Sequence, residues 1–487
     1  MNFAAEVIDA ADPGRLALVE CSREGDRREW RFGEVSQRSG ALAGTLLAHG
    51  VGRGDVVMTL IGNRPEWVFA MLACFRLGAV VLPCTEQLRA GDLRLRLRAT
   101  HPRAVVVDER NRAVLEEALG ADTQVAVLAI PDEDLYRASV PEPVLLNGED
   151  PCLITFTSGS VGEPKPVLHA QRYLTGQALQ AEHWLAPRPG DLVWCTASSG
   201  WSKSARNVFI APWLRGAAAL LHDGRFDPSE RLELVQRERV NVLCMAPTEY
   251  RMIAKRATLG RLDCLHELVA AGEALDPSAL SCWREATGLE VRDGYGQTET
   301  GQMTGNPPGQ PARSGSMGKP LPGVRLWIDD GELIADPASV PTFFLGYLGQ
   351  APHDRSQPWR TGDQVSEDDE GYLHFHGRAD DVIISAGYRI GPFEVESALI
   401  SHAAVADVAV VAAPDEERGS VIRAVVVTRE GFQPGPALAA QLQEHVKSRT
   451  APYKYPRIVE FRDALPKTQT GKVSRARLRA ETPAKPD

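Results

Sequence analysis

Asp55-Val56-Val57-Met58-Thr59-Leu60-Ile61, the helix-patterned stretch from Pro65 to Leu77, and the run Ala79-Val80-Val81-Leu82-Pro83 decide the fold class of this chain. The two flanking runs have the length and near-continuous apolar character of strands buried on both faces, and the segment between them has the length of a helix. The same rhythm spreads outward. Arg38 to His49 reads as an amphipathic helix, Ala104 to Val107 repeats the strand pattern, and the alternation returns from Asp191 to Leu221, through Val240 to Ala246 and at Leu268 to Gly272. Such alternation is the mark of α/β layers around mainly parallel strands. It predicts one large N-terminal α/β domain of stacked subdomains over residues 1–377.

Near Gly377 the texture changes. Pro392 to Ile400 reads as a helix, Val405 to Ala412 and Val421 to Thr428 as strands, Gly435 to Arg449 as a helix and Arg457 to Phe461 as a strand. This is a compact α+β domain over 383–487, large enough to fold alone, joined through 378–382 in the polar stretch Gly377-Arg378-Ala379-Asp380-Asp381.

A chain of 487 residues is too long for one core. Its 43% hydrophobic and 24% charged residues are ordinary for a soluble enzyme. The net charge of −10 argues against a nucleic-acid partner, because such proteins need basic surfaces to neutralise phosphates. Eight scattered cysteines, none in a C-x-x-C pair, fit reduced buried thiols in a cytoplasm. The first residues show no signal-peptide pattern and no apolar stretch is long enough to span a bilayer.

The chemistry begins at Thr157-Ser158-Gly159-Ser160-Val161-Gly162-Glu163-Pro164-Lys165. Two glycines let backbone N–H groups converge on an anion, while hydroxyls and the lysine ammonium add donors, so the loop reads as a grip for the phosphates of a nucleotide triphosphate. A Walker loop would place Gly-Lys-Ser/Thr after four intervening residues, and Pro166 follows Lys165 instead; the kinase or GTPase reading fails here. A plain Gly/Ser surface turn is the rival reading of the segment taken alone. Asp293-Gly294-Tyr295-Gly296-Gln297-Thr298-Glu299-Thr300-Gly301 combines glycines, a flat tyrosine, a hydroxyl and a carboxylate, a set that can hold a base and a metal-bound phosphate together. Glu299 suits Mg²⁺, which takes one or two carboxylates alongside substrate phosphates. Its place at the third glycine of G-x-G-x-x-G disfavours a dinucleotide fold. In Trp359-Arg360-Thr361-Gly362-Asp363 the carboxylate can accept from ribose hydroxyls. The joint continues through Val382 to Gly391-Pro392, and Pro466-Lys467-Thr468-Gln469-Thr470-Gly471-Lys472 sets a lysine at the tip of a late turn.

With these five motifs in this order, the chain resembles, over essentially its whole length, the adenylate-forming superfamily of acyl-CoA synthetases, luciferases and peptide-synthetase adenylation domains. Thr196 to Asn207 with Gly200-Trp201, Tyr388-Arg389-Ile390-Gly391-Pro392, and Thr450 to Pro456 are most similar to medium-chain acyl-CoA synthetases. The resemblance implies that a carboxylic acid, medium-chain fatty or aromatic, attacks the α-phosphate of MgATP to give an acyl-adenylate. A mobile C-terminal domain then brings the thiol of CoA to the acyl carbon.

The resemblance also implies the site residues. Thr157 to Lys165 would hold the phosphates, Thr298 the α-phosphate, Glu299 the magnesium, and Asp363 with Arg378 the ribose; Lys472 would touch both the carboxylate and the α-phosphate. Adenine would lie between Tyr295, in the run from Asp293 to Gln297, and the Ala271-Gly272-Glu273-Ala274 strand end. Ala386, Gly387, Tyr388 and Arg389 would pass the pantetheine arm, with Arg418, Lys447 and Tyr455 toward the CoA nucleotide. Trp201, Ala271, Gly296, Thr300 and Gly301 would line the acyl pocket, and Asp380 would be the hinge.

Val161 replaces the small hydroxyl residue usual in that loop, and a modest loss of ATP affinity is expected. Trp201 serves equally well as a core residue, Gln87 as a surface residue, and His374-Phe375-His376 as a strand rather than a metal site. Two rival functions stay open: loading the acyl group onto a carrier protein's phosphopantetheine, or silent binding on the same fold.

Overall fold

The computed structural model describes residues 1–120, 125–157, 164–272, 277–313, 315–378, 381, 383–385, 388–415, 419–450, 454–467 and 473–481. The chain gathers into two compact units, one from Met1–Thr157, Pro164–Arg325 and Asp336–Pro358, the other from Leu326–Ala335 and the chain from Trp359 onward.

In the first unit the expected strand–helix–strand is present. Val56–Leu60 and Val80–Cys84 lie parallel with Val56 opposite Val80, and Pro65–Leu77 is the helical crossover. Pro65 sits in the first turn, where its missing N–H leaves no bond unmade, and Gly78 ends the helix in the left-handed region at φ 68°. Every residue from Trp67 to Leu77 is buried, so the helix is enclosed on all sides, as interior helices are. The one charge in that buried run, Arg76, is answered by Asp9. The neighbouring helix starts earlier than its apolar pattern suggests, at Phe32, because the Glu34 carboxylate accepts the Arg31 N–H at 2.9 Å and closes the first turn.

Two sheets organise this unit. A seven-stranded sheet runs Gly346–Tyr347, Pro166–Ala170, Pro151–Phe156, Val80–Cys84, Val56–Leu60, Ala104–Asp108, Ala126–Ile130. A nine-stranded sheet runs Lys319–Pro320, Gly301–Gly305, Val291–Gln297, Glu267–Ala271, Val242–Met245, Leu192–Cys195, Ala218–His222, Leu16–Cys21, Arg27–Arg31. Both are parallel at their centres and antiparallel toward an edge, which is the stacked α/β architecture read from the sequence. The cysteines are all free thiols, and Cys21, Cys74, Cys84, Cys152, Cys195 and Cys244 are buried. Among the described residues no helix is long and apolar enough to cross a membrane.

The second unit holds a four-stranded antiparallel sheet, Leu326–Asp329, Glu332–Ala335, Trp359–Glu367 and Leu373–Arg378. A short ribbon pairs Ile383–Ser385 with Tyr388–Ile390, and a three-stranded sheet joins Val405–Asp415, Gly419–Thr428 and Ile458–Phe461. Val395, Leu399, Val410, Ile422, Leu442 and Val446 make its core with the helices Pro392–Ile400 and Pro436–Arg449. His374 and His376 fall on the strand Leu373–Arg378. Each is hydrogen-bonded, His374 Nε2 to Asp368 at 3.2 Å and His376 Nε2 to Ser366 at 2.7 Å.

Candidate active site

In the first unit Leu192–Cys195, Val242–Met245, Glu267–Ala271 and Val291–Gln297 run parallel, so the segments leaving their carboxyl ends gather along one margin of the sheet. Open α/β sheets bind ligands at that margin. Ala271, at the end of the strand expected beside the adenine, stands opposite Gly294. Lys203 donates to the Ala271 carbonyl, and a Cβ on Gly272 (φ 101°) would lie 2.7 Å from its Nζ. The half-buried Asp293 accepts the Gly294 N–H at 2.8 Å. Desolvation nevertheless pushes its carboxyl up to about 8, against the pull of that N–H and of Lys203.

The motif Asp293–Gly301 folds as a hairpin between Val291–Gln297 and Gly301–Gly305, with Thr298, Glu299 and Thr300 at the turn. Thr300 fixes that turn. Its hydroxyl accepts the Gln297 N–H and donates to the Gly301 carbonyl, each at 3.0 Å, and its own carbonyl accepts from Thr342. The strands approach so closely that a Cβ on Gly296 would lie 1.8 Å from the Gly301 oxygen. Glu299 is held on both sides of its peptide: the Phe344 N–H donates to its carbonyl at 2.8 Å, and the Tyr347 hydroxyl donates to its carboxylate at 2.9 Å.

The two ends of the predicted phosphate loop are bonded across its mouth. The Thr157 N–H donates to the Lys165 carbonyl at 3.0 Å, closing a hairpin between Pro151–Phe156 and Pro166–Ala170. Lys165 Nζ lies 5.1 Å from the centre of the Tyr347 ring, whose hydroxyl is the group on Glu299. Tyr347 thus joins the loop's lysine to the hairpin's carboxylate. Nothing in the motif pattern singled out Tyr347 or Lys203, because each reaches the site from a segment far away in sequence. Among the described residues no group of three or more His, Cys, Asp or Glu could hold a metal ion; the single placed carboxylate of Glu299 is of the kind that magnesium takes alongside substrate phosphates.

Of the residues expected to line the acyl pocket, Ala271 and Thr300 are buried and Trp201 is half-buried, its indole N–H without a hydrogen-bond partner. Gly200, at φ 88°, packs against the backbone of Cys84 and Thr85 and carries Trp201 on the turn after it. Gln87 is exposed. Behind the loop, His169 on the strand Pro166–Ala170 is 1% exposed and stacks on Tyr173 with ring centres 4.1 Å apart. Burial first, then Arg206 and Arg172, depress its pKa to about 3. An unfolded histidine binds its proton near pH 6.5. The stability contributed by neutral His169 is therefore complete above that pH and is lost as pH falls toward 3, by up to about 1.4 kcal/mol per pH unit. Melting curves between pH 7.5 and 5 should show a shallower acid slope for His169→Phe than for the parent; equal slopes would remove His169 as a source of acid sensitivity.

In the second unit, Asp363 faces Arg378 across the Trp359–Glu367 and Leu373–Arg378 pairing, and the two form an ion pair at 3.1 Å. Arg378 also donates to the Thr361 carbonyl at 2.9 Å. The two residues expected at the ribose are therefore paired with each other. Lys447 Nζ lies over the Tyr455 ring at 4.6 Å, bringing together two residues assigned to the CoA nucleotide. Tyr388 and Arg389 lie on the strand Tyr388–Ile390. Ser158, Gly159, Ser160, Val161, Gly162, Glu163, Glu273, Ala274, Asp380, Ala386, Gly387, Arg418 and Lys472 lie outside the described residues.

A family model of the AMP-binding enzyme matches residues 6–341, and that of the AMP-binding enzyme C-terminal domain matches residues 394–472. YtcI of Bacillus subtilis (strain 168), an uncharacterized acyl–CoA ligase, is 36% identical over 491 residues, covering 96% of this chain and 93% of that protein. The mitochondrial acyl-coenzyme A synthetase ACSM4 of Homo sapiens is 37% identical over 521 residues, covering 98% and 90%. Among solved structures, the anthranilate CoA ligase AuaEII in complex with anthranoyl-AMP superposes with a TM-score of 0.87 at 28% identity, covering 99% of this chain and 97% of that one.

Proposed function

The chain belongs to the AMP-binding enzyme family, and on that premise we propose that it is an ATP-dependent acid–thiol ligase. It activates a carboxylic acid, medium-chain fatty or aromatic, as acyl-AMP with release of pyrophosphate, and passes the acyl group to CoA. The observation that carries this reading is the cluster in which Tyr347 joins Lys165 of the phosphate loop to Glu299 of the hairpin turn.

The difficulty of the first half-reaction is repulsion between a carboxylate and a polyanionic triphosphate, so cations and donors placed around the phosphates dominate catalysis. In the proposed assignment the loop from Thr157 to Lys165 holds the β- and γ-phosphates, Thr298 the α-phosphate, and Glu299 a magnesium ion. Bound there, magnesium would supply charge neutralisation on the phosphate oxygens. Asp363 accepts from the ribose hydroxyls while Arg378 holds that carboxylate in place. Lys472 serves the carboxylate and the α-phosphate. Ala386, Gly387, Tyr388 and Arg389 serve the pantetheine arm, and Arg418, Lys447 and Tyr455 the CoA nucleotide. Buried free thiols favour a cytoplasmic setting.

Residues 378–382 are proposed as the hinge between an adenylating domain, 1–377, and a mobile C-terminal domain, 383–487, with the rotation at Asp380. Asp380→Pro is expected to keep acid-dependent pyrophosphate release and to lose acyl-CoA formation; undiminished CoA-dependent turnover removes Asp380 from that role. The function itself is tested by pyrophosphate release over a panel of carboxylic acids, with CoA, with pantetheine or with neither. Release that depends on an acid, followed by acyl transfer favouring CoA over pantetheine, is the expected result. Equal use of pantetheine would point to a carrier protein as acceptor, and no release with any acid would end the ligase reading.

A further inference from the structure

In the interior of the first unit, the charge of Arg206 has no answering group among the described residues. Arg206 opens the short helix Arg206–Ile210 and is 3% exposed, yet its guanidinium makes no hydrogen bond or ion pair with any described residue, and its Nε is a buried donor without an acceptor. Other buried arginines have partners: Arg76 pairs with Asp9, Arg231 with Glu249 at 3.2 Å, Arg292 with Glu267 at 2.7 Å and Arg423 with Glu460 at 2.6 Å, and Arg96 donates to the Asp92 carbonyl at 3.0 Å. A lone buried charge is costly, and a guanidinium cannot relieve the cost by shedding its proton. Neighbouring His169 escapes by staying neutral. Arg206 requires an anion.

Its position says which one. A Cβ built on Gly301 would lie 3.5 Å from Arg206 Nη1, so the guanidinium rests against the strand that follows the turn bearing Thr298 and Glu299. Arg206 also shares a segment with Trp201, whose indole N–H is buried and unpaired. The reacting carboxylate has to meet the nucleotide at the half-buried stretch Tyr295 to Glu299, whereas Arg206 lies beyond Gly301 in the buried interior. On the ligase reading, in which the reacting carboxylate meets the α-phosphate held by Thr298, a carboxylate on Arg206 belongs to the other end of the acid.

Resting on the ligase reading and sharpening it, we propose that Arg206 is a specificity-determining residue that binds a second, distal carboxylate of the acid, so that dicarboxylic acids are the preferred substrates. A site built around a buried charge discriminates strongly against an analogue that lacks the partner group, because the charge is then left desolvated and unpaired.

The test measures kcat/KM for pyrophosphate release with glutarate, adipate and suberate against pentanoate, hexanoate and octanoate, in the parent enzyme, Arg206→Met and Arg206→Lys. In the parent, the best diacid should exceed the monoacid of equal length by about 30-fold or more. Arg206→Met should collapse or invert that ratio, and Arg206→Lys, which keeps the charge, should preserve its direction. Thermal unfolding of each variant, with and without adipate, reports folding and binding apart from turnover; adipate should raise the midpoint of the parent and of Arg206→Lys. Where Arg206→Met does not fold, the parent ratio, Arg206→Lys and the adipate shift decide the matter. Monoacids turning over as well as diacids, or a ratio unchanged in Arg206→Met, overturns the proposal and leaves the ligase reading standing. Absence of release with every acid overturns both.

Discussion

Lys472→Ala is expected to lower acyl-adenylate formation by on the order of 10²–10³-fold while a supplied acyl-adenylate is still converted to acyl-CoA. The proposed lysine stands where a carboxylate and an α-phosphate meet. Each is anionic, and the bond between them forms only if their mutual repulsion is offset as they close. An ammonium already oriented there needs no reorganisation at the moment of reaction, which is why one preorganised donor has so large an effect on rate. Attack of a thiol on an existing acyl-adenylate needs no such help, because the phosphate is then the leaving group. Acid-dependent pyrophosphate release and thiolysis of synthetic acyl-adenylate, measured separately, resolve the two. Equal loss in both half-reactions would show that the substitution damages the protein generally rather than one step.

Gly296→Ala should disable the enzyme from within the fold. The added methyl would lie 1.8 Å from the carbonyl oxygen of Gly301, and both partners of the clash are hairpin backbone, with no flexible side-chain end to give way. The strands must part. The Thr300 contacts that shape the turn, to the Gln297 N–H and the Gly301 carbonyl, would loosen with them. Overpacking of this kind costs about 1–3 kcal/mol or more. The larger expected effect is functional, since the displaced turn carries Thr298 and Glu299, and small misplacement of catalytic groups can cost about 10²-fold. The expected result is a lower melting temperature together with near-complete loss of pyrophosphate release. A variant with parental melting and parental kcat/KM would mean that the hairpin has room that the geometry denies.

Local chemistry made much of this protein legible. The strand–helix–strand at Asp55 to Pro83 could be read directly because a helix buried on all sides and strands buried on both faces leave continuous apolar runs. The pairing of Asp363 with Arg378 follows from strand register, which sets the two residues opposite each other. Helix ends were less legible. The start at Phe32 depends on a carboxylate returning to a backbone N–H rather than on apolar spacing.

Residue type and order along the chain determined the family and the reaction class, because each motif is a short stretch whose backbone freedom and donors act locally. Tertiary structure alone decided what lies between the motifs. Tyr347 on Glu299 and Lys165, Lys203 on the Ala271 carbonyl, and Arg206 buried without a partner all come from segments remote in sequence. Burial and pairing are properties of the packed interior. A guanidinium looks the same in a sequence whether it faces water, an internal carboxylate or a site for a substrate's second charge.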